Sequence, residues 1–215
     1  MNKVQWLWEK EIKVAFDSYQ ELLGGLEYAV FQTPYRPKPG LLVIGRNRNT
    51  AEYSHEAIFD RPVNLFTEGK KNGDPDCWDT VCDLFGYGRH PKLWELFDNA
   101  VGLNYTYFNE KELRDRADRN LQTEIRITCI QYTRKLIEEY ICPKNIVIIG
   151  TEPISKIKNK RHQLFTVRWE KARAVKTFRE NIPMYAIKDP FGRVHFYNQE
   201  SEIQNYNSLF EHVLF

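Results

Sequence analysis

The chain is poor in the residues that build metal centres. Its four cysteines, Cys77, Cys82, Cys129 and Cys142, form no C-x-x-C pair, and the five histidines do not gather near them. A structural zinc site or an iron–sulfur cluster needs convergent ligands at tight spacing, so the sequence predicts no metal and no cofactor. The thiols read as reduced packing residues. Long hydrophobic runs are missing too. The longest aliphatic run, residues 146–149, is far too short to cross a bilayer, and residues 1–8 interleave Trp, Glu and Lys instead of forming a secretion or transit segment. No stretch is dominated by Pro, Gly or Ser and no repeat is visible, which leaves no linker and no disordered tail. These absences predict a soluble, cytoplasmic monomer without membrane contact. The expected organisation is one domain over residues 1–215 with an N-terminal helical extension over about 1–25.

Net charge is only +2, but it is unevenly spread. Residues 144–193 carry twelve Lys or Arg against four Asp or Glu, a local +8 that leaves the remainder at −6. Such asymmetry is expected where phosphates dock and release counterions, although a solvated helix face would also be charged.

Apolar periodicity places the elements. Trp6, Ile12, Phe16, Tyr19, Leu22 and Leu23 recur at mostly helical spacing and Gly24-Gly25 stops them, so residues 6–23 are an amphipathic helix. Three prolines lead to a buried strand over 41–44, closed by Gly45. A polar surface loop is expected over 67–75, short helices over 78–85 and 92–97, and a second strand over 101–104. Residues 113, 117, 121, 125, 128, 132, 136 and 140 mark one long helix over 112–140. A third strand comes next over 145–149, then a helix over 152–158, a fourth strand over 182–187 and a returning hairpin arm over 194–197. Strands alternating with helical crossovers predict an α/β fold, a three-layer α/β/α sandwich around a mainly parallel four-stranded sheet.

Particular residues then resemble the uracil-DNA glycosylase superfamily. That family places its water-positioning residue just past the first strand, in Gly-x-Asp-Pro-Tyr or, in mismatch-specific relatives, Gly-x-Asn-Pro-Gly. Here Gly45-Arg46-Asn47-Arg48 is similar to the second form, with Asn47 at the water position and Arg48 where proline would stand. The resemblance makes Phe66 the aromatic platform for a flipped base, with an ordinary core phenylalanine as its other reading. Gly102-Leu103-Asn104 resembles the strand whose terminal Asn reads the base edge; an Asn ending a strand is also a common turn residue. The family's last landmark, His-Pro-Ser, is replaced by Asp189-Pro190-Phe191, and His195 lies six residues beyond Asp189. The likeness spans about residues 41–195.

The resemblance implies base excision by hydrolysis of an N-glycosidic bond, after the nucleotide has been flipped from the stack. The sugar becomes oxocarbenium-like while negative charge builds on the departing base, so the site must hold a water below the sugar and donors near the base. Asn47 can orient that water but is no strong base. A carboxylate at Asp189 repels the charge that a histidine would stabilise, which argues against ordinary uracil excision. Gly45, Arg46 and Arg48 would border the substrate. Lys156, Lys158, Lys160 and Arg161, continued by Arg168, Lys171 and Arg173 along a helix face and interleaved with Phe165 and Trp169, would grip the backbone. Two functions are consistent with these residues: a DNA-binding glycosylase acting on a modified or damaged base, or a catalytically inactive DNA-binding or interaction module on the same fold. A nucleoside or nucleotide enzyme has less support, because residues 45–49 hold a single glycine and make no phosphate-cradling loop.

Overall fold

A computed structural model describes residues 3–46, 59, 95–96, 98–149, 174–178 and 182–187. Its centre is a five-stranded sheet of β1 (Leu42–Arg46), β2 (Val101–Thr106), β3 (Ile146–Ile149), β4 (Ala174–Phe178) and β5 (Ile182–Ile187). The strand order is β2-β1-β3-β5-β4. β2, β1, β3 and β5 run parallel, and β4 pairs antiparallel with β5. The α/β class is therefore the expected one, but the sheet has five strands and not four. Arg168, Lys171, Arg173, Lys176 and Arg179 have spacings compatible with a helix face, but residues 174–178 form an edge strand. The physical reason lies in the β-branched Val175 and Thr177 and in the three residues that separate β4 from β5, a spacing suited to a hairpin.

The amino-terminal helix starts earlier than its apolar spacing suggests. α1 (Lys3–Leu7) passes through a π-helical segment, Trp8–Ile12, into α2 (Lys13–Leu22), and Gly24 and Gly25 turn the chain with φ of 65° and 82°. Trp8 and Ile12, the two ends of the π segment, are both buried in the core. The single helix expected over 112–140 is divided. α3 (Glu110–Arg116) ends where Ala117 becomes extended, and Asp118 caps α4 (Arg119–Lys135) by accepting from the amides of Asn120 and Leu121, both at 2.9 Å. An aspartate whose carboxylate meets two free amides outcompetes helix continuation at that point. A second π-helical segment, Leu136–Ile141, ends at Cys142 in the left-handed region, just before Pro143. Of the short helix expected over 92–97, residues 95 and 96 are helical; the helices expected over 78–85 and 152–158 and the arm over 194–197 lie outside the described residues. None of the helices among the described residues is long and apolar enough to cross a membrane.

One face of the sheet, carrying Leu42, Ile44, Val101, Leu103, Ile146 and Ile148, packs against the helices in a single apolar cluster. Val43 and Val147 alternate to the other face and are also fully buried, so both faces at the sheet centre are covered. Phe16 joins the two halves of the cluster. Its ring lies 4.7 Å from that of Tyr107, 5.5 Å from Tyr28, 5.7 Å from Tyr19, 6.0 Å from Phe108 and 6.1 Å from Tyr132. Aromatic contacts of this kind add to the hydrophobic gain of burying the ring.

Burial pushes the Cys129 thiol up to about 12 and lifts the phenols of Tyr107 and Tyr28 well above the ordinary tyrosine value. For Tyr28 the bond to the Asp17 carboxylate, 2.7 Å away, adds to the effect of burial.

Phe16→Ala is expected to cost ~3–5 kcal/mol and to lower the melting midpoint by about 10 °C, whereas Val14→Ala, on the exposed side of the same helix, should change stability by less than ~0.5 kcal/mol. Thermal unfolding followed by circular dichroism separates the two. The raised thiol and phenols also set a pH dependence. Each folded value lies above its unfolded value, so the stabilisation is complete below about pH 9 and declines as pH rises through the thiol and phenol ranges. Denaturant midpoints measured from pH 7 to pH 11 should be flat at first and then fall, and a Cys129→Ala variant should fall less.

Candidate functional site

β1 and β2 are register partners, with Leu42 beside Val101, Ile44 beside Leu103 and Gly45 beside Asn104. The two residues that the sequence nominates from separate motifs therefore sit side by side at the carboxyl ends of adjacent parallel strands. Beyond them the register shifts: Arg46 pairs with Thr106, leaving Tyr105 as an extra residue on β2. Such a bulge twists the strand ends and re-aims the residues beyond it, and bulges gather next to functional sites. The topology adds a second feature. From β1 the chain leads to β2 on one side, and from β3 it leads toward β5 on the other. Open α/β sheets hold ligands outside the carboxyl ends of the two neighbouring strands at which the chain diverges, here β1 and β3, so Gly45 on β1 borders that crevice while Asn104 lies across β1 from it.

β2 is the terminal strand on its side of the sheet, and residues 28–33 cover its outer edge. The amide of Ala29 donates to the carbonyl of Tyr107 at 2.8 Å, that of Asn104 to Val30 at 2.8 Å, and that of Gln32 to Gly102 at 2.9 Å. Thr33 Oγ1 accepts from the Gly102 amide at 2.8 Å. The edge is thereby hydrogen-bonded along most of its length, which removes a template for unwanted strand addition.

This pairing carries Gln32 onto the face that bears Gly45 and Asn104. The side chain of Asn104 is 2 % exposed; its Nδ2 donates to the Ala29 carbonyl at 3.0 Å, and its Oδ1 accepts from Gln32 Nε2 in a short hydrogen bond. The polarity of this chain of amides is forced. A backbone carbonyl can only accept, so the Asn104 amino group must face Ala29, its oxygen must face Gln32, and the Gln32 amino group must face Asn104. Gln32 Oε1 is left over. It is buried and has no hydrogen-bond partner among the described residues. Thr106, two residues beyond Asn104 on the same face of β2 and 5 % exposed, likewise holds a buried Oγ1 without a partner there. The Gln32 amide lies against Gly45: a Cβ built on the glycine would stand 3.5 Å from Gln32 Nε2 and 3.9 Å from Gln32 Oε1.

Of the residues nominated from sequence, Gly45, Arg46 and Asn104 are brought together; of Arg46 the backbone position in β1 is described. Asn47, Arg48, Phe66, Asp189 and His195 lie outside the described residues, as do Lys156, Lys158, Lys160, Arg161, Arg168, Lys171 and Arg173. Gln32 and Thr106 escape a reading by motif. Their one signal is polarity in apolar company, Gln32 after Val30-Phe31 and Thr106 between Tyr105 and Tyr107.

Asn104→Asp tests the forced polarity. A carboxylate has no N–H for the Ala29 carbonyl, so the variant should lose at least ~2 kcal/mol at neutral pH. Burial and the facing carbonyl raise the folded pKa of the new acid. Stability should thus be largely regained below about pH 4, where the protonated acid donates, and be lost as pH rises. Urea unfolding at the two pH values checks this, and equal losses at both would contradict the assignment. Comparison with known proteins adds no family: no protein-family model matches the chain, and a search of curated proteins finds no match.

Proposed function

We propose that this chain is a DNA glycosylase-like protein. It binds DNA, takes a modified or damaged base at the carboxyl ends of β1 and β2, and hydrolyses its N-glycosidic bond. The three-layer α/β/α sandwich around four parallel strands belongs to this reading. So does its likeness to the uracil-DNA glycosylase superfamily. The observation that carries it is the lateral pairing of Gly45 with Asn104, two family landmarks more than fifty residues apart in sequence that meet at one end of the sheet. The register shift at Gly45/Arg46 supports it further, since Asn47 comes directly after that bulge.

In this mechanism Asn47 orients a water beneath the sugar while the extruded base stacks on Phe66. Catalysis leans on positioning and on differential stabilisation of the cationic sugar, because an amide cannot take the water's proton as a strong base. Asp189 assists departure only when protonated, and His195 is the other candidate donor. Lys156, Lys158, Lys160, Arg161, Arg168, Lys171 and Arg173 meet the phosphates, with Arg46 and Arg48 at the border of the site. One observation favours the second reading, a DNA-binding module without catalysis: the Asn104 amide is already engaged by Ala29 and Gln32.

The experiment is incubation of the full chain with single-stranded and duplex oligonucleotides carrying uracil, hypoxanthine, mismatched thymine or alkylated bases, followed by alkaline cleavage at abasic sites. The expected result is strand scission on some substrate, abolished in Asn47→Ala. Gly45→Ala should fold, because its methyl meets the Gln32 amide at ordinary contact distance, yet lower product formation about tenfold if the base packs on bare backbone there. Salt-sensitive binding without product selects the second reading, and no binding at low salt rejects both.

A further inference from the structure

Gln32 does not belong to the sequence likeness, but its amide is the end point of the hydrogen-bond chain at the site. We infer that Gln32 is the specificity-determining residue of this site, its Oε1 accepting from an N–H on the edge of the bound base, while Asn104 is a positioning residue that fixes the Gln32 amide. The inference rests on the reading of the β1–β2 end as a nucleobase site.

Three observations carry it. Gln32 Oε1 is a buried acceptor without a partner among the described residues, and leaving such a group unmade costs roughly 1–3 kcal/mol. Its polarity is set from the backbone: Ala29 fixes Asn104 and Asn104 fixes Gln32, so the Gln32 amide cannot flip to present a donor without losing its bond to Asn104. The position of Gln32 is equally fixed, since its own N–H is bound to the Gly102 carbonyl at 2.9 Å. The acceptor is thus aimed before any ligand arrives, which is what discrimination by hydrogen bonding requires.

The neighbouring groups define the rest of the edge. Asn104 Nδ2 has a second hydrogen beyond the one given to Ala29, and the buried Thr106 hydroxyl, without a partner among the described residues, can donate or accept. An acceptor beside donors matches a base edge that presents an N–H next to an acceptor atom. A lactam such as uracil offers its ring N–H and carbonyl; an aminopyrimidine such as cytosine offers its amino group and ring nitrogen. A base methylated on that nitrogen would meet Gln32 Oε1 with a methyl group and leave the acceptor unpaired.

The test uses the full chain and fluorescence anisotropy with single-stranded oligonucleotides that differ at one base: 2′-deoxyuridine, its N3-methyl derivative, or 2′-deoxycytidine. N3-methylation is expected to weaken binding about tenfold or more relative to deoxyuridine. Tight binding of the deoxycytidine strand as well would extend the edge to aminopyrimidines, and weak binding would confine it to lactams. In Gln32→Met, which keeps length and removes the acceptor, methylated and unmethylated strands should bind alike. Equal binding of the two by the unaltered chain would overturn the inference while leaving base excision standing, because DNA binding and scission are measured separately. Discrimination that survives in Gln32→Met would also overturn it, by showing that the donor is read elsewhere. Should Gln32→Met fail to fold, the comparison on the unaltered chain decides alone, with Thr106→Val as a second variant expected to fold and to weaken both strands equally. Failure to bind any strand at low salt would remove this inference together with the functional reading beneath it.

Discussion

The outer edge of β2 must be hydrogen-bonded, and the way this chain does it determines the rest of the site. A terminal strand left bare would expose unpaired amides and carbonyls. Here residues 28–33 take the edge position, but as an irregular run with two isolated bridges, Tyr28 to Phe108 and Phe31 to Leu103, and not as a full strand. On either side of the Phe31–Leu103 bridge the backbone bonds from Asn104 to Val30 and from Gln32 to Gly102 leave one register available. Gln32 therefore stands beside Asn104 because the main chain puts it there. A side-chain amide held this way loses little further freedom on meeting a partner, which is the physical content of preorganisation.

The same segment is anchored from the helical side. Phe16 packs on Tyr28 and Phe108 at the beginning of the edge run, and the Tyr28 hydroxyl donates to Asp17 on the same helix. Trp8 closes against Phe31, at 6.3 Å between ring centroids. Lys135 and Glu11 add an ion pair between α4 and the amino-terminal helix, but both are part-exposed, and screening leaves such a pair a small stabiliser. The helix over the first residues is thus no loose addition, since Val4, Leu7, Trp8, Ile12 and Phe16 lie in the main core. It holds one wall of the candidate site through two aromatic contacts.

How much of this can be read in the sequence depends on the range of each interaction. β1, β2, β3 and β5 are legible because short apolar runs bounded by glycine or proline are local signals, and for β5 the run and the strand share their bounds. The division between α3 and α4 is written in Asp118 and in the polar run around it, yet apolar spacing alone bridges it, since periodicity is blind to a cap. β4 escapes because basic residues spaced along 168–179 suit a helix face as well as a strand, and its pairing with β5 decides the matter. At the site, Gly45 and Asn104 are legible as strand-terminal residues. That they are neighbours is a property of register, which no local pattern carries. Gln32 is illegible for the same reason: its partners lie at residues 102 and 104, some seventy positions away.

Apart from its two π-helical segments and the left-handed Cys142, the helical half of the molecule follows local rules. Asn109 and Asp118 cap their helices, aromatic rings fill the core, and polar tips such as the Tyr107 hydroxyl find a partner, in this case Thr133 at 3.0 Å. Among the described residues, the carboxyl ends of β1 and β2 bring together a register shift at Gly45/Arg46, a Gln32 carbonyl without a hydrogen bond and a Thr106 hydroxyl without one. Each carries a cost of order 1 kcal/mol that an apolar residue of similar shape would avoid, in a fold whose total stability is on the order of 5–15 kcal/mol. Local rules are most often broken where a chain must do something besides fold. The meeting of these groups at two strand ends, beside a glycine on the strand where the chain diverges from β3, is therefore a physical argument for the location of function that stands apart from any sequence likeness.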